Sequence, residues 1–354
     1  MIDLDDVSII REIDKDDMLG ALEGFPEQCE KAISIAHKLV VPVLSEKPDS
    51  IAILGMGGSG ISGDIVKILL DDELDIPIFV NKGYDLPKFM NKNTLVFAVS
   101  YSGNTEETLS AFEQAISLGA FVVSITSGGE LAKRARDRNL PVVLIPSGLQ
   151  PRASLGYLLF PILVVLEKLG LIGTEKDDTD KVIDHLEQAR RELSVKNPLD
   201  KNRAKQLAKR LIGKVPVIYG SDGITGVAAL RWKCQLNENS KIPAFYNIFP
   251  ELNHNETVGW ELLEEITENF FLILFRDEHD HPRIKKRMDI THSLIQEHFN
   301  GVFEVRAKGE SKLERIFSII YLGDFVSAYL AIIEGVDPSP VERIRVLKEE
   351  LAKE

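Results

Sequence analysis

The stretch SIAILGMGGSGISG, residues 50–63, passes from five strand-forming residues into a glycine-rich turn and on into a helical pattern. A strand that is apolar throughout has no face to offer water, so it belongs in a parallel sheet covered by helices on both sides. Glycines at 55, 57, 58 and 60 let the backbone approach a ligand closely, and the helix that follows presents unpaired N–H groups at its positive end. Gly55-Met56-Gly57-Gly58-Ser59-Gly60 also satisfies the loose G-x-G-x-x-G pattern, which a tight turn without a ligand satisfies equally well.

Outward from this stretch the same signature repeats. IPIFV (76–80), TLVFAVS (94–100), AFVVSITS (120–127) and PVVLIP (141–146) read as buried strands, and helical patterns fall near 59–70, 105–118, 129–137 and 155–169. Alternation of this kind predicts a doubly wound α/β domain. Residues 173–209, rich in charge and poor in strand formers, read as a helical connection with a boundary near Asn197-Pro198. The pattern then restarts: Gly223-Ile224-Thr225-Gly226 echoes Gly60-Ile61-Ser62-Gly63, and Ile242-Pro243-Ala244-Phe245 echoes Ile76-Pro77-Ile78-Phe79 after a three-residue insertion. This is the mark of an internal duplication, giving two doubly wound parallel-sheet subdomains. The expected organisation is an N-terminal helical segment (1–45), a first domain (46–172), the connection (173–209) and a second domain (210–354).

At 354 residues, 44% hydrophobic and 27% charged, the chain is an ordinary globular protein of about two domains. Its net charge of -13 repels nucleic acid and anionic lipid over most of the surface, which removes both as main partners and leaves room for a local anion pocket. Cys29 and Cys234 are the only cysteines, so neither a disulfide framework nor a CxxC metal site is expected, and a reducing compartment fits. The acidic start MIDLDDVSIIREIDKDD does not resemble a signal peptide, and a cytoplasmic location is expected. Residues 157–166 are too few to span a bilayer and 316–333 carry Asp324, so both are expected as core helices.

The loop SYSGNTEET (100–108) carries the second set of candidate ligands. Glu107 lies three residues after Asn104, as in a capping box. Ser100 and Ser102 alternate at the strand end and are expected to point the same way, with Thr105 in the first helical turn. Together with Gly57, Gly58 and Ser59 these neutral hydroxyls and N–H groups suit a phosphate that is held without being transferred; GxxxxGK[ST] is absent. A third strand end, with Ser124, Thr126 and Ser127, is either near the ligand or a polar turn.

Taken together, GMGGSGISGD, SYSGNTEET, the duplicated unit, LNENSK (236–241), PELNHNE (250–256) and VERIRVLKEEL (341–351) resemble the bifunctional phosphoglucose/phosphomannose isomerase family of sugar isomerase (SIS) domain proteins. The resemblance spans about residues 49–348 and implies two SIS subdomains, hexose 6-phosphate substrates, no cofactor and a homodimer.

Moving a carbonyl between C1 and C2 requires a base that takes a proton α to the carbonyl and returns it to the neighbouring carbon. Glu238 is the candidate: Val227, Leu230 and Cys234 form an apolar stripe that ends on it, and a carboxylate on a core-facing stripe is desolvated toward a useful basicity. The alternative is a fraying, solvated helix end. The resemblance assigns ring opening to a histidine sixteen positions later, which is His254 (254 minus 238), and implies that it reaches the neighbouring subunit's site. Glu251 and Glu256 are then orienting groups, with Glu256 a second candidate base. Also by resemblance, Arg152 stabilises the enediolate oxygen and Lys348 belongs to the active site. His279-Asp280-His281 suggests a metal, but the two histidines lack an evident third ligand and the chemistry needs none, so no metal site is expected.

The rivals are a non-enzymatic phosphosugar sensor, an amidotransferase and an isomerase of another phosphosugar. The sensor calls for a basic helix–turn–helix and the amidotransferase for an N-terminal nucleophilic cysteine; neither is evident in this sequence.

Overall fold

The computed structural model describes residues 2–44, 46–173 and 176–353. Ser45, at the expected end of the N-terminal segment, Thr174 and Glu175, in the expected connection, and both terminal residues lie outside the described residues. Three helices open the chain: α1 (Val7–Ile13), α2 (Met18–Glu23) and α3 (Phe25–His37). The chain forms two compact units, the first comprising Gly24–Asp184 with Ser311–Leu313 and the second Met1–Glu23, His185–Glu310 and Glu314–Glu354.

The first unit contains β1 (Ser50–Leu54), α4 (Gly57–Leu70), β2 (Ile78–Asn81), β3 (Thr94–Val99), α5 (Glu106–Ser117), β4 (Phe121–Thr126), α6 (Gly129–Asp137), β5 (Val142–Leu144) and α7 (Leu155–Lys168). All its strands are parallel, in the order β2-β1-β3-β4-β5. Burial follows that order: β1 and β3 are buried at every residue, while the edge strands β2 and β5 are only partly covered. Continuous apolar runs thus mark the centre of the sheet, as expected for strands covered on both faces.

After α8 (Lys176–Leu193) and α9 (Arg203–Arg210) the second unit repeats the plan with β6 (Val215–Ser221), α10 (Ile224–Glu238), β7 (Phe245–Phe249), α11 (Glu264–Thr267), β8 (Phe270–Arg276), α12 (Pro282–Ile295) and β9 (Val302–Arg306). Its parallel order β7-β6-β8-β9 is that of β2-β1-β3-β4, so the two glycine turns that echo each other in sequence occupy equivalent places. Two helices end the chain, α13 (Lys312–Ile333) and α14 (Glu342–Leu351). Among the described residues α13 is the one helix long and apolar enough to cross a bilayer, and 94% of that stretch is buried within the structure, as a core helix would be.

Candidate functional site

In the first sheet the chain leaves β1 toward β2 on one side and β3 toward β4 on the other, so a crevice opens between the carboxyl ends of β1 and β3. Ligands of open α/β sheets bind at such a switch point. The two loops that flank it are the ones singled out by sequence: Gly55–Ser59 after β1 and Ser100–Thr105 after β3.

Strand β3 ends at Val99, so the expected alternation of Ser100 and Ser102 does not apply. Ser100 is buried and shapes the loop from inside, accepting from the Gly103 N–H at 3.1 Å and sharing a hydrogen bond with the Thr105 hydroxyl at 2.9 Å. Ser102 faces solvent. The expected capping box is not formed: Thr105 is the N-cap of α5, and Asn104 turns away to accept from the Glu130 N–H at 2.9 Å, which ties the loop to the start of α6. Gly103 is required here, since a Cβ would lie 1.9 Å from the Gly128 carbonyl oxygen. Of the third strand end, Ser127 donates to the Tyr101 carbonyl at 2.7 Å, which braces the Ser100–Thr105 loop, and Thr126 donates to the Gly128 carbonyl at 2.9 Å within its own turn.

Arg152 is 3% exposed, which no ordinary surface arginine would be. It lies in a single 3₁₀ turn, Pro151–Ala153, packed against the start of α4 so closely that a Cβ on Gly58 would lie 2.8 Å from the Pro151 carbonyl oxygen. One residue that sequence reasoning missed holds this turn. Gln28 of α3, itself buried, donates to the Ala153 carbonyl at 2.9 Å and accepts from the Gly156 N–H at 2.8 Å. A glutamine beside Cys29 on an otherwise apolar helix face was the available signal. The first unit thus gathers Gly57, Gly58, Ser59, Ser100, Thr105 and Arg152 about one crevice.

The second unit holds the other candidates. Glu238 is the last residue of α10 and is half-buried. The face it shares with Val227, Leu230 and Cys234 is half-buried throughout, not core-facing as expected; the buried face carries Ala228, Trp232, Gln235 and Asn239. The helix end is anchored all the same: Asn237 donates to the Ile242 carbonyl at 2.9 Å, and Lys241 donates to the carbonyls of Glu238 and of Pro338. His254 is exposed, in a 3₁₀ turn (Glu251–His254) just after β7. Its loop is pinned by Glu256, whose carboxylate accepts from the Tyr219 hydroxyl and from the Asn247 amide. Burial, and then the Glu256 charge, push the Tyr219 hydroxyl far above the usual phenol range, so it stays a donor.

Helix α10 runs against the direction of the strands it joins, and from Ile224 to Glu238 it climbs about 21 Å at 1.5 Å per residue. Glu238 therefore lies where β7 begins and His254 where β7 ends, at opposite edges of one sheet. Lys348 is exposed on α14, a helix with no buried residue.

The switch point of the second sheet, between β6 and β8, is acidic and satisfied internally. Ser221 donates to Asp280, Arg315 pairs with Asp277 at 3.2 Å, and His281 caps α12 by accepting from the Arg283 N–H. Burial raises the Asp280 carboxyl above the usual carboxylate range. Among the described residues no three His, Cys, Asp or Glu side chains are grouped as a metal site would need.

Comparison with known proteins gives the same picture over the whole chain. A model of the bacterial phospho-glucose isomerase C-terminal SIS domain matches residues 200–351, and the SIS domain model matches 44–144. The chain is 45% identical to the bifunctional phosphoglucose/phosphomannose isomerase of Caldicellulosiruptor bescii, covering 95% of this chain and 99% of that one. It is 42% identical to the protein of the same name from Aquifex aeolicus, covering 86% and 90%. The crystal structure of a glucose-6-phosphate isomerase like protein from Thermus thermophilus superposes with a TM-score of 0.64 at 19% identity, covering 97% of this chain and all of that one, which shows a shared fold. With a relative so similar from end to end, the chain belongs to the bifunctional phosphoglucose/phosphomannose isomerase family.

Proposed function

We propose that this chain is an aldose–ketose isomerase that interconverts glucose 6-phosphate and mannose 6-phosphate with fructose 6-phosphate through one enediol intermediate, without a metal. The observation that carries the reading is the crevice between β1 and β3, where two glycine- and hydroxyl-rich loops meet the buried Arg152 on a chain of this family. The loops hold the phosphate through N–H and hydroxyl donors. Arg152, a fixed planar cation, offsets the charge that develops on the enediolate oxygen.

The carboxylate of Glu238 takes the proton from C2 of the open-chain aldose and returns it to C1, which yields the ketose. Because C2 is planar in the enediol, return of a proton to either face of C2 gives either epimer, and this is the chemical basis for two aldose substrates. His254, whose imidazole can both give and take a proton, opens the ring by protonating the ring oxygen. Lys348 joins the site by family resemblance.

The placement of Glu238 and His254 at opposite edges of one sheet favours a homodimer in which the histidine comes from the second copy. An anchored helix end at Glu238 also favours the base over the fraying alternative. The test is Glu238→Gln: it is expected to abolish solvent exchange at C1 of fructose 6-phosphate and at C2 of its aldose products while binding of the sugar phosphate persists. Undiminished exchange would remove Glu238 as the base.

A further inference from the structure

The buried side of α10 carries a row of polar residues, and it meets a matching row on α13. Arg231 donates to both carboxylate oxygens of Asp324, at 3.1 and 2.7 Å, and Gln235 donates to the same group at 2.8 Å. One turn further on, the Asn239 amide donates to the Ser327 hydroxyl at 2.9 Å and the Ser240 hydroxyl to the Ser327 carbonyl at 2.7 Å. Ser327 in turn donates to the Asp324 carbonyl at 2.8 Å, and all six side chains are buried. The contacts advance together along both helices, from Trp232 donating to the Ile319 carbonyl to Ser240 on Ser327, so the helices run side by side in one direction.

Positions 231, 235 and 239 recur every four residues, which keeps them on one side of the helix. An apolar seam in this place would tolerate sliding. A ladder of directional bonds does not: a slip of one residue moves each partner by about 1.5 Å and rotates it by about 100°, leaving buried polar groups unpaired. Its last rungs, Asn239 and Ser240, directly follow Glu238 at the point where a helix would otherwise fray.

We propose that this ladder, through the Asn239–Ser327 contact above all, is a positioning device for Glu238, fixing the height and rotation at which its carboxylate is presented to the sugar. The inference rests on Glu238 being the base. Neither Asn239 nor Ser327 needs to touch substrate, because both act through the backbone of the last turn.

The test compares Ser327→Ala, Asn239→Ala, Ser327→Thr, Tyr329→Phe and Glu238→Gln in the full chain. A base displaced by a fraction of an ångström loses rate more than binding, so Ser327→Ala and Asn239→Ala are expected to lower kcat about tenfold with KM changed less than about twofold. Ser327→Thr keeps the hydroxyl and should restore most of kcat. Tyr329→Phe deletes another buried hydrogen bond of α13, to the Leu193 carbonyl at 2.6 Å, and should lower Tm while leaving kcat alone. If Asn239→Ala does not accumulate as folded protein, the serine series decides. Wild-type kcat in Ser327→Ala, with Glu238→Gln inactive, would make the ladder merely structural. Retained C2 exchange in Glu238→Gln would instead overturn the base itself, and the positioning role with it.

Discussion

Replacing Gly58 by alanine sets two effects of opposite sign against each other. Gly58 lies in the first turn of α4, where alanine is favoured over glycine by up to about 1 kcal/mol. Against this, the new Cβ would stand 2.8 Å from the Pro151 carbonyl oxygen, 3.3 Å from its carbon and 3.5 Å from the Arg152 Cα. All three are backbone atoms, so no side-chain rotation relieves the clash, and either α4 or the Pro151–Ala153 turn must move. Overpacking of this kind costs about 1–3 kcal/mol, which outweighs the gain in propensity. The turn is held from its far side by Gln28, so the displacement passes into Arg152. The expected result is a Tm lower by about 2–6 °C and a kcat/KM for fructose 6-phosphate reduced at least about tenfold. Gly83→Ala, where no atom lies within 4 Å of the added Cβ, serves as the control and should leave both unchanged. The assays are thermal unfolding and coupled isomerase kinetics. A Gly58→Ala protein with wild-type kcat/KM and an equal or higher Tm would refute the close packing of the Arg152 turn on α4 and its link to the reaction.

Gln28→Glu keeps the acceptor for the Gly156 N–H but loses the donor to the Ala153 carbonyl; kcat should fall several-fold with KM less affected, and unchanged kinetics would show that the Arg152 turn needs no such support. His254→Gln should leave Tm within about 1 °C, because the side chain is exposed, while lowering turnover of ring-closed glucose 6-phosphate about 100-fold or more. Mixed dimers of Glu238→Gln and His254→Gln protomers should regain up to about a quarter of wild-type activity, since half of the dimers would then carry one intact site; no recovery would place both groups in the same subunit's site. For Asp280, burial raises the folded-state carboxyl, so the folded protein holds that proton more tightly than the unfolded chain does. Stability from this group is therefore fullest below the ordinary carboxylate range and is lost as pH rises through the raised folded value. Asp280→Asn should flatten that part of the pH dependence of the urea midpoint, and an unaltered slope would assign it elsewhere.

Much of the fold was legible because its central strands are apolar without interruption, and uninterrupted apolar runs have few other solutions in a chain of this charge. The two loops at the crevice were legible for a related reason, since glycines and hydroxyls at a strand end serve few purposes together. The orientation of α10 was not. Sequence periodicity assigns the apolar stripe through Leu230 and Cys234 to the core, yet the buried face carries Arg231, Gln235 and Asn239, whose partners Asp324 and Ser327 lie 88 to 93 residues further along the chain. Polar groups that satisfy one another at long range look solvent-facing until the partner is known. The same holds for Asn104, whose nearby Glu107 suggested a cap while its actual donor, the Glu130 N–H, belongs to the next helix. Arg152 was named by resemblance alone, and only the packing of its turn on Gly58 and Gln28 gives that naming a physical ground.

A single metal-free enediol is proposed to serve both aldoses. The most direct measurement follows fructose 6-phosphate in D₂O with a strong chelator present, with the products resolved by NMR. Glucose 6-phosphate and mannose 6-phosphate are both expected to appear, each carrying deuterium at C2. Activity lost to the chelator and restored by a divalent cation, or products that keep only protium at C2 over many turnovers, would contradict that proposal.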